Sequence, residues 1–162
     1  MPVSTPSQTV GPFFSLGLGE SSHGDLVDPA RDDAIRIAGV VRDGAGEPVP
    51  DALVELWQAE GCARASTTSE GGFSFVTVKP GPAAGLDGAT QAPHIAVSVF
   101  ARGLLGRLIT RIYFPDEAEA NARDPLLREL TDAAALVARP EGDELRFDIV
   151  LQGEGETVFL DV

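Results

Sequence analysis

The stretch IRIAGVVRDGAGEPVPDALVELWQ, residues 35–58, holds two short apolar runs joined by a turn. The runs, 35–41 and 52–58, are rich in Val, Ile and Leu, residues that suit a pleated, half-buried surface. Between them Asp43-Gly44-Ala45-Gly46-Glu47-Pro48 supplies an aspartate able to bond its own backbone, two glycines and a proline, the chemistry of a turn. Working outward, short apolar runs and turn signals keep alternating through 73–78, 94–101, 108–114, 145–151 and 157–161. Lys79-Pro80-Gly81-Pro82 stops the third run abruptly. In 145–151, Leu145, Phe147, Ile149 and Leu151 alternate with Arg146 and Asp148, the period of a half-buried strand, with Val150 an apolar exception on the outer face. Short strands at this spacing predict an all-β fold, an antiparallel β-sandwich.

Two segments break the pattern. Residues 116–136 place Glu117, Ala118, Ala120, Asn121, Leu126, Leu127 and Leu130 at helical spacings, which predicts one or two short helices with Asp124 as N-cap and Pro125 at the first helical position. From Thr5 to Asp33, Pro6, Gly11, Pro12, Gly17, Gly19, Gly24 and Pro29 recur with little periodicity. The chain therefore divides into an extended N-terminal arm, 1–34, and a sandwich domain, 35–162.

Composition excludes several function classes. With 162 residues the chain forms one core and can bury roughly 70% of its unfolded surface. A net charge of -13 repels phosphate backbones and anionic lipid, so no nucleic-acid or membrane partner is expected. Cys62 is the single cysteine and Met1 to Val10 show neither a basic nor an apolar leader segment, so a reducing cytoplasm is the expected location. No apolar run approaches the ~20 residues of a membrane-spanning helix.

Few side chains could carry chemistry: His23, His94, Tyr113 and Cys62 exhaust the His, Tyr and Cys content. From the residues alone, His94 reads as a partly buried strand-start histidine bonded to a backbone carbonyl, and His23 as an exposed turn residue. Tyr113 reads as a packing residue, and Cys62 as inert. Asp43, Glu47, Glu141, Asp143, Glu154 and Glu156 read as solvated turn charges. No phosphate cradle or serine nucleophile elbow is present.

Several segments in order nevertheless resemble one family. They are Thr5-Pro6-Ser7-Gln8-Thr9-Val10-Gly11-Pro12-Phe13, Trp57-Gln58-Ala59, Lys79-Pro80-Gly81, Ala92-Pro93-His94-Ile95, Phe100-Ala101-Arg102-Gly103, Arg111-Ile112-Tyr113-Phe114 and Gln152-Gly153-Glu154-Gly155-Glu156-Thr157. Together they resemble the intradiol ring-cleavage dioxygenases, and within that family the alpha chains of its protocatechuate-cleaving branch. Catalytic members hold a non-haem Fe(III) with two tyrosinates and two histidines, hard donors suited to a cation that binds a catecholate. By the resemblance, His94 keeps only the first position of a His-Ile-His run, and Ala96 replaces the second. Ala83 replaces one tyrosine, and the loop bearing the other is deleted after Ala59.

The resemblance therefore implies no catalytic residue and no metal ligand set in this chain, with His94 a vestigial ligand position and Tyr113 too far along a separate strand to substitute. It implies an iron-bearing beta chain as partner, acting on an aromatic catechol acid and O2. Thr9, Gly11 and Pro12 would wall the partner's substrate pocket and Arg102 would face it. A non-enzymatic transthyretin-like or carboxypeptidase-regulatory-like binding sandwich is the alternative for the 37–54 segment, and a self-sufficient intradiol enzyme is a third.

Overall fold

The structure, a computed structural model, describes residues 5–11, 13–19, 24–85 and 88–161. In chain order its elements are helix α1 (Phe14–Gly19) and strands β1 (Ala34–Arg42), β2 (Leu53–Gln58), β3 (Gly61–Ser66), β4 (Gly72–Val78), β5 (Ala83–Ala84), β6 (Thr90–Gln91), β7 (His94–Phe100) and β8 (Leu108–Tyr113). Helices α2 (Ala118–Asn121) and α3 (Pro125–Glu129), a 3-10 turn (Ala133–Leu136), and strands β9 (Arg139–Glu141), β10 (Glu144–Arg146) and β11 (Ile149–Val150) complete the set. None of the described helices is long and apolar enough to cross a membrane.

Two sheets enclose the core. The first is five-stranded, with β1 between β4 on one side and β10 and β11 on the other, and β9 beyond β10. The second is four-stranded and antiparallel in the order β3-β2-β7-β8. Their inward faces meet through Ile37, Val41, Phe73 and Phe75 from one side and Val54, Leu56, Ile95, Val97 and Ile112 from the other, all within one buried cluster. The sandwich expected from the alternation is therefore present. The turn at 43–48 does not make β1 and β2 neighbours in one sheet, however, but passes the chain from one sheet to the other.

The run 145–151 forms two short ladders, because β10 and β11 each pair with β1 in parallel, in one continuous register, and the pairing lapses at Phe147 and Asp148 between them. The Asp148 carboxylate accepts the Val40 N–H at 2.9 Å, taking the place of a ladder carbonyl, and ion-pairs with Arg146 at 2.7 Å and Arg139 at 3.3 Å. At this gap the Phe147 carbonyl lies against Gly39. A Cβ there would overlap that oxygen and crowd Phe73 Cζ at 2.6 Å, so only glycine fits.

The expected strand over 157–161 forms no ladder. Thr157 N–H donates to Val150 O at 3.0 Å and Leu160 N–H to Ile109 O at 2.8 Å, so this segment stitches one sheet to the other and pairs along neither. The turn before it depends on Gly153 and Gly155, both at positive φ (94° and 73°).

Arm residues also differ from a uniformly extended reading, since α1 interrupts them. Further on, Leu26 N–H donates to Val76 O at 2.8 Å and Val76 N–H to Gly24 O at 3.0 Å, which covers the free edge of β4. The helical reading of 116–136 is met by α2 and α3. The Asp124 carboxylate caps α3 by accepting from Leu126 N–H and Leu127 N–H, with Pro125 at the first helical position.

Candidate functional site

The arm and the Phe-Ala-Arg-Gly turn meet in space. Gly103 N–H donates to Thr9 Oγ1 at 2.9 Å, a contact spanning 94 residues of sequence. Arg102, exposed beside it, forms an ion pair with Asp51, which is more buried. Asp51 went unnoticed in the sequence because its partner is set by register. Leu53 pairs with Phe100 across β2 and β7, so the residues two beyond each strand end face one another. Gly11 is exposed, and a Cβ added there would meet nothing within 4 Å, so the fold of this chain places no demand for glycine at that position. Pro12 lies outside the described residues, as does His23.

A second cluster surrounds His94. His94 opens β7 opposite Tyr113 at the end of β8, with ring centroids 5.4 Å apart and planes inclined by 34°. Tyr113 is thus a direct neighbour of His94, which corrects the expectation of a remote strand end: antiparallel pairing brings the last residue of β8 beside the first of β7. The two rings are nevertheless committed elsewhere. His94 Nδ1 lies 2.8 Å from Ala92 O, a contact that requires Nδ1 to donate. Tyr113 OH donates to Asp124 Oδ1 at 3.1 Å and accepts from Arg111 Nη1 at 3.2 Å.

Asp124 is fully buried, and its other oxygen accepts Ala92 N–H at 2.8 Å. One carboxylate therefore ties the start of β7, the end of β8 and the N-terminus of α3 together. The sequence disclosed the cap but not this larger role.

These donors do not fit a ferric ion. Burial pushes the Tyr113 phenol up to about 12, the opposite of what a tyrosinate ligand requires. Ala96 and the exposed Ala83 offer no donor, and β2 turns into β3 through Ala59 and Glu60 alone. Among the described residues no three His, Cys, Asp or Glu side chains cluster to hold a metal ion.

Burial is also the main cause lowering the His94 pKa from 6.5. A depressed histidine binds protons less readily folded than unfolded, so its contribution to stability is complete above pH 6.5 and is lost as pH falls through the lower folded value. Unfolding midpoints measured from pH 7.5 downward are expected to decline in this window, and His94→Leu is expected to flatten the decline. An unchanged slope in that variant would assign it to other groups.

No protein-family model matches the chain. It is 38% identical to the protocatechuate 3,4-dioxygenase alpha chain of Pseudomonas putida, across 97% of this chain and 96% of that one. The chain belongs to the protocatechuate 3,4-dioxygenase alpha-chain family. That membership decides against the binding-sandwich alternative. The alignment with this alpha chain spans 195 positions, more than the 162 residues here, so the relative carries segments that this chain lacks. The Burkholderia cepacia protocatechuate 3,4-dioxygenase beta chain is 33% identical across 77% of this chain and 67% of its own length, so the alpha-chain family shares its fold with the beta chains. Among solved structures, the dioxygenase domain of a dioxygenase carbohydrate-binding protein fusion from Streptomyces sp. SirexAA-E superposes with a TM-score of 0.65 at 27% identity, covering 82% of this chain and 88% of that one.

Proposed function

We propose that this chain is the non-catalytic alpha subunit of a cytoplasmic protocatechuate 3,4-dioxygenase, with residues 1–34 acting as an arm that walls the active site of an iron-bearing beta chain. The complex cleaves protocatechuate between its two hydroxyl-bearing carbons and adds both atoms of O2, giving 3-carboxy-cis,cis-muconate. The observation that carries the reading is the Gly103 to Thr9 hydrogen bond, which gathers the arm and Arg102 at one edge of the sandwich.

The non-haem Fe(III) of the beta chain supplies the oxygen chemistry, and this chain supplies binding. Thr9, Gly11 and Pro12 form wall, and the Arg102 guanidinium attracts the ring carboxylate of the substrate. Asp51 holds Arg102 in place and partly offsets its charge. Phe13 and Leu16 of the arm and Leu105 beside the turn are 76%, 70% and 65% exposed, large apolar side chains of the kind a partner covers.

The test is co-expression with a beta chain carrying two tyrosines and a His-Ile-His run. The complex is expected to turn over protocatechuate and to contain iron. This chain purified alone is expected to carry no stoichiometric iron and no red-brown charge-transfer colour. About one iron per isolated chain, or full activity of the beta chain without this one, would overturn the assignment.

A further inference from the structure

The outer face of the β2-β7-β8 sheet carries a groove of about 410 Å³, within the range of small-ligand sites. Trp57, Ala96 and Arg111 stand in one row across it, since Trp57 pairs with Ala96 and Ala96 with Arg111. Arg107 and Leu160 also line it. Alanine at 96, where the resemblance places a histidine, leaves the middle of the row low. On either side stand the indole, 47% exposed, and a guanidinium.

Two arginines share this groove in a chain of net charge -13. Among the described residues neither Arg107 nor Arg111 forms an ion pair with a carboxylate; Arg36, Arg42 and Arg128, away from this groove, form none either, whereas Arg31, Arg64, Arg102, Arg123, Arg139 and Arg146 all do. Arg111 spends one donor on the Tyr113 hydroxyl, and its remaining N–H groups have no bonded acceptor among the described residues. The nearest acid on this face, Glu55, is neutralised by Arg64 at 2.5 Å and also accepts the Trp57 indole N–H at 3.3 Å. Asp124 lies one hydroxyl away from Arg111, since Tyr113 OH bonds both, and offsets part of its charge, but two guanidiniums against this one carboxylate leave the groove positive, and acidic groups beyond about 8 Å are screened at physiological salt.

We propose that this groove binds a small planar aromatic carboxylate, its ring against Trp57 and its carboxylate on Arg107 and Arg111. A planar ring matches the exposed indole face, and guanidinium groups match a carboxylate in geometry as well as charge. A neutral ring would gain only the stacking, and a simple anion only the charge.

Trp57 is the single tryptophan of the chain, so its emission reports on this groove alone. The isolated full chain is titrated with benzoate and, at matched ionic strength, with benzamide. Benzoate is expected to change the Trp57 emission saturably, while benzamide leaves it unsaturated. Arg107→Gln, which removes no intramolecular bond, is expected to weaken benzoate about tenfold, as loss of one charge-assisted contact does. Arg111→Gln is expected to do at least as much, with far-UV circular dichroism confirming that its fold is retained. No saturable change, equal curves for benzoate and benzamide, or undiminished affinity in both variants would overturn the proposal. The measurement contains no beta chain, so its failure leaves the subunit assignment standing.

Discussion

Asp124→Ala is expected to lower the free energy of unfolding by about 3–5 kcal/mol, a large effect for one residue. Four donors converge on this buried carboxylate: Tyr113 OH at 3.1 Å, Leu126 N–H at 3.0 Å, Leu127 N–H at 3.1 Å and Ala92 N–H at 2.8 Å. Alanine strands the buried ones among them away from water, and each unpaired group costs about 1–3 kcal/mol. In a chain of this size the midpoint of thermal unfolding should fall by about 10 °C. Asp124→Asn should cost less, since the amide keeps an acceptor for the helix cap while its NH2 opposes the Ala92 N–H. Tyr113→Phe should cost about 1 kcal/mol, because it removes one donor and leaves the other three paired. The readout is the unfolding midpoint by circular dichroism. A loss below 1 kcal/mol in Asp124→Ala would show that water replaces the carboxylate and that the cluster is not a clamp.

In the assembled enzyme, Arg102→Ala should reduce kcat/KM for protocatechuate by about 1–3 kcal/mol of transition-state binding while leaving the iron spectrum intact. The variant removes an attractive charge and also frees the carboxylate of Asp51, which then repels the substrate. The double variant Arg102→Ala, Asp51→Asn should therefore lose less than Arg102→Ala alone, an asymmetry that a purely structural ion pair would not produce. Deleting residues 1–12 should act more severely, because it removes Thr9, and with it the bond to Gly103, together with Gly11 and Pro12. Assembly is checked first by size-exclusion chromatography. An assembled complex with Arg102→Ala and unaltered steady-state kinetics would reduce Arg102 to a surface charge, and unaltered kinetics after the deletion would leave the arm without a catalytic contribution.

Much of this chain is legible before folding. Local chemistry fixes its strand-forming runs, the stop at Lys79-Pro80 and the cap at Asp124, because each depends on residues within a few positions of one another. The lack of a donor at 83 and 96 is equally local, since an alanine offers none in any conformation.

What the sequence hides is decided by partners far along the chain. Asp148 reads as an outward strand residue, yet it breaks the ladder because Val40, 108 residues away, presents an N–H to it. Residues 61–66 are not among the strand-forming runs and yet become β3, because a two-residue turn returns them alongside β2. Tyr113 reads as remote from His94 and lies beside it, because strand pairing reverses direction between β7 and β8. The same register sets Asp51 against Arg102 and places Arg111 beside Ala96. Sequence determined most of the strand-forming runs, the cap at Asp124 and the absence of donors at 83 and 96, since these rest on short-range sterics and donor chemistry. Tertiary structure alone decided which charges are paired, which are left open and what lies beside His94 and Ala96, since those depend on which backbones come to lie about 5 Å apart in the sheet.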